Sequence, residues 1–102
     1  MSEPILARHV IVHGKVQGVG FRDFVDHHAR QRNLTGWVRN RRNGTVEAVF
    51  VGLQRSVEGM IGVCRVGPPS GNVNRVDQRD AAEAEVKTRG ATDGEFLVLP
   101  TV

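Results

Sequence analysis

Nine residues near the N-terminus, Gly14-Lys15-Val16-Gln17-Gly18-Val19-Gly20-Phe21-Arg22, combine three glycines with two cations. An alternating apolar run precedes them and a helical period follows, so the segment reads as a loop from a strand into a helix. Such a turn gathers unpaired backbone N–H groups at one point, and the helix dipole adds positive potential there. Glycines let the backbone close around an anion as a nest of N–H donors. The spacing matches neither the Walker loop nor the dinucleotide fingerprint: no Gly-Lys-Ser/Thr follows, and no acid stands at the ribose distance. Arg22 falls in the first helical turn, where a cation opposes the dipole. Beside a cradle of N–H groups its guanidinium would complete an anion site through paired N–H···O bonds. Taken alone, it is equally a solvated arginine beside a tight turn.

A second candidate is Asn40, closing the run Trp37-Val38-Arg39-Asn40. Asparagine is a poor strand former, and its amide offers both a donor and an acceptor, so it can hold a water and a substrate oxygen together. Read from residue type alone, Asn40 simply opens a turn. His9, His13, His27 and His28 are not joined by any carboxylate spacing and read as structural or surface residues. Cys64 lies on an apolar helical face, as a core residue rather than a nucleophile. The cluster Arg39-Asn40-Arg41-Arg42 has the charge to contact nucleic acid. Tyrosine is absent, however, and the single Trp37 gives no stacking platform, which argues against single-strand binding.

These residues need elements to hold them. Arg8–His13 alternates as a strand, with Val10 and Val12 on one face and His9, Ile11 and His13 on the other. Phe21, Phe24, Val25, His28 and Ala29 make one apolar face of a helix over Phe21–Gln31, and Asn33 is a plausible left-handed terminator. Trp37–Asn40 and Thr45–Val51 read as strands joined by a hairpin at Asn43-Gly44. Leu53–Arg65 reads as a second helix, weakened by Gly59 and Gly62 at about 1 kcal/mol each relative to alanine and stopped by Gly67-Pro68-Pro69. Val73–Arg79 is a half-exposed strand with little apolar besides Val73. Ala81–Gly94 is polar without a clear period, and Phe96–Leu99 is a short final strand. The alternation predicts an α+β class: a ferredoxin-like βαββαβ sandwich, one mostly antiparallel sheet with both helices on a single face.

The chain has 102 residues, 39% hydrophobic and 25% charged, the profile of one globular domain over 1–102 rather than of a disordered tail. No apolar run approaches the ~20 residues of a membrane span, and the N-terminus lacks the features of a signal peptide. The lone Cys64 excludes an internal disulfide and a multi-cysteine metal site, which together predict a cytoplasmic protein. Of the net charge of +3, residues 8–42 carry eight bases against two acids. The first third of the chain is therefore the part suited to meet an anion.

At these same residues the chain resembles the acylphosphatase family. Val12-x-Gly14-x-Val16-Gln17-Gly18-Val19-x-Phe21-Arg22 matches its first signature. Gly36-Trp37-Val38-Arg39-Asn40, followed at the correct spacing by Gly44-x-Val46 and Gly52, matches its second. Gly67-Pro68 and Phe96 are similar to the family less specifically. The resemblance implies the ferredoxin-like fold and hydrolysis of acyl phosphates to carboxylate and inorganic phosphate. It gives Arg22 the phosphate-binding role, together with the loop amides of Lys15, Val16, Gln17, Gly18, Val19 and Gly20. It gives Asn40 the orientation of the attacking water, a role its residue type did not announce. The leaving carboxylate has a pKa of ~4 and departs without a general acid, so positioning and charge stabilisation suffice. The expected protein is a monomer that uses no cofactor or metal, takes small acyl phosphates and inorganic phosphate, and binds neither membrane nor nucleic acid. Two departures stand out: Asn33 replaces the more usual glycine, and Asp23 follows Arg22 where an aromatic is common, either pairing with Arg22 or pointing to solvent. The competing readings are a ferredoxin-like sheet that binds RNA, and a non-catalytic module that keeps an anion pocket for a ligand or partner.

Overall fold

The computed structural model describes residues 3–88 and 94–102. Five strands and three helices follow in the order β1 (Ile5–Lys15), α1 (Phe21–Gln31), β2 (Thr35–Asn40), β3 (Val46–Leu53), α2 (Gln54–Val66), β4 (Asn72–Asp80), α3 (Glu83–Val86) and β5 (Phe96–Val98). They build one sheet of order β4-β1-β3-β2-β5, antiparallel except for the β2–β5 edge pair. One face of the sheet, carrying Val10, Val12, Val38, Val46, Ala48, Phe50 and Val76, packs on Phe21, Val25 and Ala29 of α1 and on Val57, Met60, Ile61 and Cys64 of α2. This is the expected ferredoxin-like α+β sandwich, and α1 has the expected bounds. It ends as Asn33 enters the left-handed region at φ 57°. There Asn33 N–H donates to Arg30 O (3.1 Å) and Leu34 N–H to Ala29 O (3.0 Å), the paired closure of a Schellman motif.

Three features depart from the expectation. The first is β1, which continues through Gly14 and Lys15 rather than stopping at His13. It stays paired because β4 bulges: His13 faces Arg75 while Gly14 faces Val73, which leaves Asn74 extra. The bulge changes the parity of β4, so Val73 and Val76 both reach the core although they stand three apart. That spacing hides the strand's apolar face from a search for alternation. Gly14 is required at this point, since its φ is +126° and a Cβ would lie 2.2 Å from Asn72 O.

The second departure lies within Ala81–Gly94, of which residues 89–93 fall outside the described part. Glu83–Val86 forms one helical turn, α3, on the sheet face opposite α1 and α2. Trp37, 1% exposed, points to this second face. Its indole Nε1–H donates to Glu85 O at 3.0 Å, and the Arg39 guanidinium stacks 4.6 Å from its ring centre. The third departure is small: β5 ends at Val98, and Leu53 belongs to β3 rather than to α2.

Candidate active site

Register brings the two candidate segments together. Val46 of β3 faces Val12 of β1 on one side and Asn40 of β2 on the other. The loop that leaves β1 and the end of β2 therefore share one end of the sheet, the end at which α1 begins. A cavity of about 230 Å³ opens there, lined by Val16, Gln17, Gly18, Gly20, Phe21, Arg22, Asp23, Asn40 and Val98. Gly18 and Gly20 take φ of +72° and +76°, which turns the loop so that Gly20 caps α1. No side chain caps this helix start. Its free N–H groups and the positive end of the dipole thus remain available to an anion in the cavity.

Arg22, the second residue of α1, is half-buried in the cavity wall. Among the described residues it has no ion pair and no side-chain hydrogen bond, although the neighbouring arginines do: Arg30 binds Asp26, and Arg39 and Arg41 bind Glu47. Asp23 shares the wall but does not pair with Arg22, so the guanidinium is not neutralised from that side. Asn40 lines the same cavity, and its carboxamide has no hydrogen bond among the described residues. An unpaired guanidinium, a row of backbone donors and a free carboxamide around one small cavity can bind a tetrahedral oxyanion and hold a water beside it.

The other loop residues are placed differently from one another. Val16, Gln17, Gly18 and Gly20 line the cavity, whereas Lys15 and Val19 do not. Lys15 is the exposed last residue of β1, opposite Asn72. Val19 packs against the core, and its carbonyl accepts from Ser70 Oγ at 3.1 Å. The Gln17 side chain reaches across to the β2–β3 hairpin, where its Nε2 donates to Arg41 O (2.6 Å) and Thr45 O (2.8 Å). It ties the loop to the residue that follows Asn40. The chain after β5 holds the same hairpin from the other side: Val102 N–H donates to Asn40 O and Arg42 N–H to Val102 O.

Behind the hairpin lies a buried polar network. Glu47 accepts from Arg39 Nε (2.7 Å) and Arg41 Nη1 (3.0 Å), and its other oxygen is 2.7 Å from His9 Nε2. Burial raises the Glu47 pKa, but the hydrogen bonds from His9, Arg39 and Arg41 outweigh it and hold the carboxyl below its ordinary range. His9, Glu47 and Glu85 offer ligand atoms within 4.8 Å of one another. Arginines already occupy both carboxylates, Arg79 taking Glu85 through two bonds of 2.8 Å, so the cluster is an ion-pair lattice rather than a metal centre. A lone acid inside the apolar run Val46-Glu47-Ala48-Val49-Phe50 was the signal of this network in the sequence. The network also absorbs two arginines of the Arg39–Arg42 cluster and leaves Trp37 buried, so the basic and aromatic surface of an RNA-binding sheet is not presented. Cys64 is fully buried, and burial pushes its thiol up to about 12, which removes it as a nucleophile.

Residues 8–91 match the family model described as acylphosphatase. The chain is 47% identical, over the full length of both proteins, to an acylphosphatase of Bradyrhizobium diazoefficiens. Among solved structures it is similar to the acylphosphatase from Bacillus subtilis, with a TM-score of 0.80, 29% identity, and coverage of 94% of this chain and 99% of that one. It also superposes, with a TM-score of 0.80 and 29% identity, on 13% of the full-length protein HypF, covering 99% of its own length. No helix among the described residues is long and apolar enough to cross a membrane.

Proposed function

The chain belongs to the acylphosphatase family, enzymes that hydrolyse acyl phosphates, and we propose that Arg22, the loop amides and Asn40 carry this reaction in the cavity at the start of α1. The observation that supports the assignment is that Arg22, with no ion pair among the described residues, lines one small cavity together with Asn40, the glycine loop and the uncapped helix start. The backbone N–H groups of Val16, Gln17, Gly18 and Gly20 and the two N–H edges of Arg22 hold the phosphate oxygens, with Val19 packed beneath the loop. These donors are fixed before substrate arrives, so they stabilise the charge that spreads over the transferred group without reorganising. Lys15, at the end of β1, contributes by anchoring the loop rather than by lining the cavity.

The Asn40 carboxamide oxygen accepts from a water and aims its lone pair at phosphorus, opposite the acyl oxygen. The water oxygen–phosphorus bond forms as the phosphorus–acyl oxygen bond breaks, and the electron pair leaves with the carboxylate. A phosphate oxygen takes the water's proton, so neither a general base nor a phospho-enzyme is required. A phosphorylated protein trapped in a single turnover would overturn this step. Gln17 and Val102 act through Asn40, as positioning residues that fix the hairpin end against the loop. The constellation is complete within one chain, which supports a monomeric enzyme. A buried, unpaired cysteine suits the reducing cytoplasm.

Hydrolysis of benzoyl phosphate by the purified chain, with excess chelator present, tests the reading. Chelator-insensitive turnover that falls about 100-fold or more in Arg22→Ala is the expected result. Equal turnover by the parent and Arg22→Ala would remove Arg22 from the site.

A further inference from the structure

The cavity wall carries two charged side chains, Arg22 and Asp23, and only one of them is used by the phosphate. Asp23 is exposed and is the third residue of α1. A carboxylate in the first helical turn is favoured by the dipole, as Asp23 is, but beyond that field it has no side-chain partner among the described residues. It makes no reciprocal cap with the helix start among the described residues. It forms no ion pair with Arg22 or any other described cation, whereas the acid one turn further on, Asp26, binds Arg30 at 2.8 Å. It accepts no side-chain hydrogen bond among the described residues, although Asp77, Asp80 and Glu85 all do. Its charge therefore stands free at the mouth of the site.

From this placement we infer that Asp23 sets specificity for the acyl group: it disfavours acyl phosphates whose acyl part carries a second anion and favours those carrying a cation. The inference rests on the function proposed above. The phosphate occupies the loop amides and Arg22, which leaves the exposed rim for the acyl group. The apolar part of that rim is Val98, with Phe21 buried beneath it, and its charged part is Asp23. In a cavity of about 230 Å³, a charge on a small acyl group lies within about 8 Å of that carboxylate. At this range, unit charges near a protein surface change a rate several-fold. The phosphate of every substrate meets Asp23 alike, so only the charge of the acyl group separates one substrate from another.

The test compares kcat/KM of the parent and Asp23→Asn on three substrates: benzoyl phosphate, 3-carboxybenzoyl phosphate and 3-(trimethylammonio)benzoyl phosphate. Intrinsic reactivity cancels when each substituted substrate is referred to benzoyl phosphate and the two proteins are compared. In Asp23→Asn the relative rate of the carboxy substrate is expected to rise about threefold or more at low salt, and that of the cationic substrate to fall by a similar factor. Both changes should shrink as salt is added. A variant that scales all three substrates equally would overturn the inference, because Asp23 would then act only on the shared phosphate. Failure of the parent to hydrolyse benzoyl phosphate would instead overturn the function on which the inference stands, and the inference with it.

Discussion

Arg22 occupies the second position of a helix, where an acid would be favoured by the dipole and a cation is disfavoured by up to about 1 kcal/mol. Nothing among the described side chains compensates it, and a bound phosphate would. The sequence made this position conspicuous because the residue type contradicts its helical context. Asn40 was not conspicuous in that way, since an asparagine before a hairpin is ordinary. Its significance came from the match to a family signature and from the register that brings it to the cavity Arg22 lines. The proposed mechanism gives the two residues different work, and their variants should separate accordingly. Arg22→Ala should weaken inorganic phosphate about 10- to 100-fold, the effect of deleting a charge-assisted bidentate contact. Asn40→Ala should leave phosphate affinity within about twofold and lower kcat about 100-fold, as loss of water positioning does. Competition by phosphate in the benzoyl phosphate assay reads both. Gln17 escaped a reading by residue type altogether. Its role depends on two carbonyls more than twenty residues away, and no local pattern encodes them.

At the scale of the elements, the loop is placed by how β1 ends. The bulge opposite Gly14 keeps β1 paired to Lys15, so the chain enters the cavity from a fixed point. Gly14→Ala would set a Cβ 2.2 Å from the Asn72 carbonyl at a φ of +126°. A loss of about 2–4 kcal/mol in urea denaturation is expected. Gly62 provides the contrast, for it lies inside α2, a Cβ there meets nothing within 4 Å, and its φ is not in the left-handed region. Gly62→Ala should stabilise the protein by about 0.5–1 kcal/mol. Helix α1 was legible to the residue because its apolar period and its left-handed asparagine agree. Strand β4 was only half legible, because a bulge converts period two into period three at one point and the alternation fails there.

On the scale of the whole molecule, the sandwich has a second, polar layer that composition did not reveal. Its parts, His9, Glu47, Glu85, Arg39, Arg41 and Arg79, lie as far apart in the chain as residues 9 and 85 and meet only when the sheet forms. Glu85 is held down to about 2 by hydrogen bonds from Arg79 and, against the opposing pull of burial, from the Ala82 amide. Glu47 is also held below its ordinary range, its hydrogen bonds overcoming its burial. A carboxyl whose pKa is depressed by folding adds stability above its unfolded value, and that stability is lost as pH falls toward the folded value. For Glu85 the window runs from 4.5 down to about 2. Urea midpoints should therefore drop through this window. Trp37 emission should shift as α3 releases the indole N–H it binds. Glu85→Gln should cost about 1–2 kcal/mol at neutral pH and make the acid limb shallower. An acid limb as steep as the parent's would show that Glu85 is not part of the coupling. The α+β sandwich itself followed from the order of apolar periods, whereas the outer-face helix α3 did not. It is a single turn held by Trp37 and Arg79 rather than by an apolar stripe of its own.

In the proposed mechanism phosphate is bound by Arg22 and the loop while Asn40 serves the attacking water. One steady-state experiment addresses it most directly: benzoyl phosphate hydrolysis with inorganic phosphate as competitor, run on the parent, Arg22→Ala and Asn40→Ala. Asn40→Ala is expected to keep the parent's phosphate inhibition constant within about twofold while losing about 100-fold in kcat, and Arg22→Ala to lose the inhibition. An Asn40→Ala variant whose phosphate inhibition weakens as much as its kcat, or an Arg22→Ala variant inhibited like the parent, would contradict it.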